Sequence, residues 1–102
     1  MITYDGKNYV LKYNMKRIEM IEGVTNMPTL ADLQRTRGML CLASLKAYVA
    51  YGIKEDGSDV FLNPRKGMEI AESLIETNGY TDVCAIVLEA LERDCPFFFP
   101  ED

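Results

Sequence analysis

The side chains with chemistry beyond folding are a row of glutamates, three thiols and one acidic turn. Glu69, Glu72 and Glu76 fall three to four residues apart. That spacing puts them on one helix face, and paired carboxylates are the usual apparatus of general acid–base work. Ordinary solvated helix faces carry the same pattern, and nothing apolar beside these three would raise a pKa. Asp56-Gly57-Ser58-Asp59 resembles the start of a calcium loop but lacks the later bidentate glutamate, so it reads as a turn. Cys41, Cys84 and Cys95 are odd in number and form no Cys-x-x-Cys. Two of them sit inside apolar helical runs, where a thiol behaves as a small hydrophobe, and a reducing compartment is expected.

Histidine is absent. With it go Cys-His pairs, Ser-His-Asp triads and histidine zinc sites. Neither glycine-rich phosphate motif occurs. No catalytic, cofactor-binding or metal-ligating residue is assigned, no cofactor is expected, and the protein is read as non-enzymatic. A net charge of −5 argues against nucleic acid as a partner. Arg35 with Arg37 and Arg65 with Lys66 are isolated pairs, not a basic stripe. The N-terminus lacks the pattern of a signal peptide, and the apolar run from Met39 to Ile53 falls short of the ~20 residues of a membrane span. A soluble, cytoplasmic protein is the expectation.

A length of 102 residues suits one domain with a modest core. Asp5-Gly6 between two β-rich runs predicts an N-terminal hairpin over 2–13, with Tyr9, Leu11 and Tyr13 on one face. Asn14 caps a helix over about 15–22, with Gly23 as its stop. Thr29 with Asp32 resembles a capping box opening a long helix over about 30–51. Asn63-Pro64 opens a helix over about 64–78, ended by Gly79. Thr81 caps a last helix over about 82–94, ended by Pro96. A Pro/Phe-rich tail occupies 95–102. The expected fold is α+β, mostly α, with a short hairpin packed on a bundle of about four helices.

Two features point to binding surfaces. The segment from Met39 to Tyr51 is apolar on almost every side, which a small domain covers with difficulty. It reads either as a central core helix or as one that lies partly in a homo-oligomer or partner interface, through Met39, Leu42, Leu45, Tyr48, Val49 and Tyr51. Phe97, Phe98 and Phe99, bounded by Pro96 and Pro100, read either as a staple onto the core or as an exposed aromatic anchor.

The stretch from Tyr4 to Glu22, Tyr4-Asp5-Gly6-Lys7-Asn8-Tyr9-Val10-Leu11-Lys12 followed by Asn14 and a helix reaching Ile21-Glu22, resembles the opening of tail assembly chaperones from long-tailed bacteriophages and prophages. Those chains often begin D-G-K-x-Y-x-L-K. Ala50-Tyr51-Gly52-Ile53, Asp56-Gly57 and Leu88-Glu89-Ala90-Leu91 match more loosely. The resemblance implies a protein that binds the tape-measure protein, recruits tail-tube subunits in the host cytoplasm and is missing from the mature virion. It also implies a −1 ribosomal frameshift near the end of the gene, and Phe97 to Phe99 permit a slippery codon run. Two other readings stand beside it. One is a small acidic inhibitor of the DNA-mimic type, using Glu69, Glu72, Glu76, Glu89 and Glu92. The other is a structural tail or head-tail protein.

Overall fold

The computed structural model describes residues 2–99, so the tail positions 100–102 lie outside the described residues. Asp5 and Gly6 both take left-handed backbone angles, φ 52° and 77°, as a two-residue hairpin turn of type I′ requires. They join β1 (Ile2–Tyr4) to β2 (Lys7–Leu11), with Ile2 opposite Tyr9. Tyr9 and Leu11 point inward as the alternation predicts, and Tyr13 follows them into the core. A third strand, β3 (Ile53–Glu55), pairs antiparallel with β2 and sets Ile53 opposite Leu11. The sheet order is β1-β2-β3. Three residues carry too little pattern for sequence to mark β3; it forms because the open edge of β2 needs partners. Just beyond the ladder, Lys12 N–H donates to the Gly52 carbonyl at 2.8 Å and Asp56 N–H to that of Asn8 at 2.9 Å.

α1 (Met15–Thr25) begins as expected, with the Asn14 side chain accepting from Arg17 N–H at 2.8 Å. It overruns its expected end. Gly23 stays helical, and Asn26 at φ 56° closes the helix by donating its N–H to the Glu22 carbonyl. A glycine inside a helix costs only about 1 kcal/mol, so it permits a stop without enforcing one.

The helix expected over 30–51 is two helices, and this is the main correction to the sequence reading. α2 (Thr29–Thr36) and α3 (Leu42–Gly52) are separated by a left-handed turn at Arg37 and Gly38, φ 56° and 83°. Gly38 N–H returns to the Leu33 carbonyl at 3.0 Å, closing α2. The break has a packing reason. α3 is now the central helix, touching α1, α4, α5 and β2, while α2 folds away to cover another part of the core through Leu33. The connection is pinned by Tyr80, whose hydroxyl donates to the Leu40 carbonyl.

α4 (Pro64–Asn78) starts where Asn63-Pro64 predicts, with the Asn63 side chain accepting from Arg65 N–H at 2.8 Å. It crosses α3 at Gly67, where a Cβ would stand 2.5 Å from the Ala50 carbonyl oxygen. Gly79, φ 94°, ends α4 and also caps α5 (Tyr80–Asp94), so Thr81 lies inside α5 instead of capping it. A single 3-10 turn, Pro96–Phe98, follows. The fold is α+β and mostly helical, with five α-helices among the described residues in place of about four. No helix among them is long and apolar enough to cross a membrane.

Candidate protein-binding groove

After the break at Arg37 and Gly38, side chains of α2, of α5 and of the tail line a common groove. Leu30 and Leu33 from α2 and Leu88 from α5 give it an apolar floor. Gly38 fits there without a side chain: a Cβ would sit 2.8 Å from a Leu88 methyl. The end of the groove is closed by the tail. Pro96 stops α5, and the N–H groups of Phe98 and Phe99 donate to the carbonyls of Cys95 and Pro96 at 3.1 and 2.9 Å. That turn folds Phe98 and Phe99 back, half-buried, onto the groove wall. Phe97 is left outside, 59% exposed, its ring centroid 4.8 Å from that of Phe98.

The groove encloses about 380 Å³, near the low end of the ~300–1,000 Å³ typical of ligand sites. It has room for a few side chains. Arg37 stands on the α2 side and Glu92 on the α5 side. Among the described residues, neither belongs to an ion pair.

The residues expected to form an interface divide sharply. Leu45, Tyr48 and Val49 are interior, at 0%, 1% and 0% exposure, so they form the core and not a surface. The reason is that α3 is short enough to be covered on most of its circumference once α2 has turned away. Tyr51 is half-buried: its carbonyl accepts from Arg17 Nε at 2.7 Å, and the guanidinium lies over its ring. Met39 and Leu42 do face outward. Leu42 borders a separate, smaller hollow with Ile75. Of the nine, Phe98 and Phe99 line the groove, and Phe97 stands exposed beside Phe98. Leu30, Leu33 and Leu88, its floor, were not singled out by sequence, because nothing local announces that α2 and α5 meet.

A buried polar cluster fixes α2 from beneath. Thr29 and Asp32 make no capping box. The Thr29 N–H donates to Glu22 Oε2 of α1 at 2.7 Å, and its hydroxyl accepts from the Tyr48 hydroxyl at 3.0 Å. Asp32 is 1% exposed; Oδ1 is 3.5 Å from Arg35, and Oδ2 has no partner. On α4, Glu69 and Glu72 are exposed and partly neutralised by Lys66 at 3.4 Å and Lys46 at 3.8 Å. Among the described residues, no group of three or more Cys, Asp or Glu side chains is placed to hold a metal ion.

Comparison with protein-family models, curated proteins and solved structures finds no match to this chain. The chemistry of the groove therefore comes from its own walls. An apolar floor with one cation and one anion on facing sides suits apolar side chains of another polypeptide, held in one orientation by the charges.

Proposed function

We propose that this protein is a non-catalytic tail assembly chaperone of a long-tailed bacteriophage or prophage, which holds apolar helices of the tape-measure protein and brings tail-tube subunits to them. The observation that carries the binding half of this reading is the apolar groove between α2 and α5, with exposed Phe97 beside Phe98 of its lining. Aromatic residues of this kind dominate binding hot spots. The phage half rests on the resemblance of residues 4–22. Exposed Met15, Met20 and Met39 add flexible apolar contacts of the sort that repack against varied partners.

The DNA-mimic alternative needs carboxylates free of counter-charges on one surface. Pairing of Glu69 with Lys66 and of Glu72 with Lys46 weakens it.

The test is co-expression with the tape-measure protein of the same phage or prophage. A soluble complex of the two, lost in Leu30→Glu, is the expected result. A tape-measure protein that stays insoluble, or is captured equally well by Leu30→Glu, overturns this reading. The gene gives an independent check when it is expressed with its native codons and downstream DNA. A longer product sharing this N-terminus, abolished by synonymous recoding of Phe97 to Phe99, is expected. Mass spectrometry of purified virions should find the chaperone missing, whereas a structural tail protein would be present.

A further inference from the structure

Tyr80, Cys84 and Leu88 follow one another at four-residue spacing along α5, and side chains so spaced share one side of a helix. Both ends of this stripe touch the connection between α2 and α3. The Tyr80 hydroxyl donates to the Leu40 carbonyl. A Leu88 methyl lies 2.8 Å from where a Cβ on Gly38 would stand. Cys84, between them and 1% exposed, therefore faces residues 38–41, the last of which is Cys41. Both thiols also act on one phenol: burial raises the Tyr80 pKa first, and Cys84 and Cys41 add to it.

The two thiols differ as an attacking and a resolving cysteine differ. Cys41 is exposed, and its hydrogen bond with Ser44 at 3.4 Å lowers its pKa. Thiolate character together with access is what makes a cysteine react with peroxide. Cys84 is closed to reagents in solution and can meet only a sulfur already carried by the connection. Cys95 is also buried, but it stands at the other end of α5, about 16 Å along the helix from Cys84.

We propose that Cys41 and Cys84 are a peroxide-responsive dithiol pair, which closes to a disulfide between the α2–α3 connection and α5. The Cys41 thiolate attacks one oxygen of hydrogen peroxide. The O–O bond breaks, hydroxide leaves and takes up a proton as water, and the sulfur is oxidised to a sulfenic acid. The Cys84 sulfur then attacks the Cys41 sulfur. The S–S bond forms, the S–O bond breaks, and the departing hydroxide takes the Cys84 proton as a second water. Peroxide gains the two electrons that the two thiols lose. In a reducing compartment such a bond is transient, the usual form of a redox-sensing disulfide. It ties the connection to α5 beside Gly38 and Leu88, which both line the groove, so oxidation fixes that wall. The inference stands apart from what the groove binds.

In the test, the fully reduced chain is exposed to a few equivalents of hydrogen peroxide, free thiols are alkylated, and the product is mapped by mass spectrometry. A monomer with Cys41 joined to Cys84, Cys95 alkylated, and full reversal by dithiothreitol is expected. Cys84→Ala should stop at the sulfenic acid, trapped on Cys41 by dimedone. Cys41→Ser should leave Cys84 and Cys95 reduced under the same exposure. Far-ultraviolet circular dichroism verifies that each variant is folded, and the wild-type map decides alone should Cys84→Ala not fold. Cys41 carried on to sulfinic or sulfonic acid with Cys84 still free overturns the proposal. So does a bond from Cys41 to Cys95 or to a second chain, or a chain whose three thiols all survive. None of these outcomes bears on co-expression with the tape-measure protein.

Discussion

The Tyr13 hydroxyl donates to the backbone carbonyl of Tyr48 at 2.7 Å, with both residues buried and 35 positions apart. Tyr48 passes the link on, its own hydroxyl donating to Thr29 Oγ1 at 3.0 Å. Two phenols thereby tie the end of the hairpin to α3, and α3 to the start of α2. The rings also meet edge to face, with centroids 6.3 Å apart. Tyr48→Phe keeps the packing and strands the fully buried Thr29 hydroxyl. A loss of about 1–2 kcal/mol in urea-denaturation free energy is expected, whereas an unchanged midpoint would mean that the link carries no stability.

The same pair makes the protein sensitive to alkali. Burial is the main cause that raises both phenols, Tyr48 to about 12 and Tyr13 well above its ordinary 10.0. The folded state thus keeps protons that the unfolded chain would release. The stability this represents is complete below pH 10.0 and falls as the pH rises from there through about 12. Ultraviolet absorbance of tyrosinate should show these two groups ionising together with unfolding.

Asp94 sets the acid limit. Burial pushes its carboxyl upward, but Arg93, the Tyr13 N–H and Lys12 outweigh this and hold its pKa well below the ordinary 3.8. The hydrogen bonds measure 2.8 Å from Arg93, 2.9 Å from Tyr13 N–H and 3.0 Å from Lys12. Here the folded value is depressed, so the stabilisation is complete above pH 3.8 and lost as the pH falls below it. Asp94→Asn should cost about 2 kcal/mol at neutral pH, in the range of hydrogen bonds to a charged group. Thermal melts in an acid series should show wild type and variant converging.

Gly67→Ala tests the contact of α4 with α3. The added Cβ would lie 2.5 Å from the Ala50 carbonyl oxygen and 2.8 Å from its Cα, both backbone atoms that cannot swing aside. Separation of α3 from α4 should cost about 3 kcal/mol. A loss under about 0.5 kcal/mol in the same denaturation assay, the size of a neutral surface change, would contradict the crossing.

Thiol chemistry should single out Cys41. It is exposed at the start of α3, and its hydrogen bond with Ser44 at 3.4 Å lowers its pKa, while Cys95 is buried and raised by that burial. A chromogenic disulfide reagent should label one thiol rapidly in the folded protein and the other two only on unfolding. Ser44→Ala should slow the rapid phase at neutral pH, because less thiolate is present.

Several features of the fold are readable from residues alone because their causes are local. Asp5-Gly6 specifies its turn through positive φ, Asn14 and Asn63-Pro64 specify helix starts through caps, and the alternation of Tyr9, Leu11 and Tyr13 specifies an inward face. The mostly helical α+β class follows from these together. The misreadings also share a cause. Gly23 and Gly38 look alike as single glycines in helical runs, yet one stays helical and the other breaks a helix. Only Gly38 has Leu88, fifty residues away in the chain, pressing where its Cβ would be. The groove is one step further from sequence, since its walls come from α2, α5 and the tail, and no local signal records that they meet. Composition and spacing determined the hairpin turn, the starts of α1 and α4, the net acidity and the absence of histidine chemistry, because these depend on residue identity and near neighbours. Which of nine apolar candidates became core and which became surface was decided by tertiary packing, because burial depends on what the rest of the chain brings alongside.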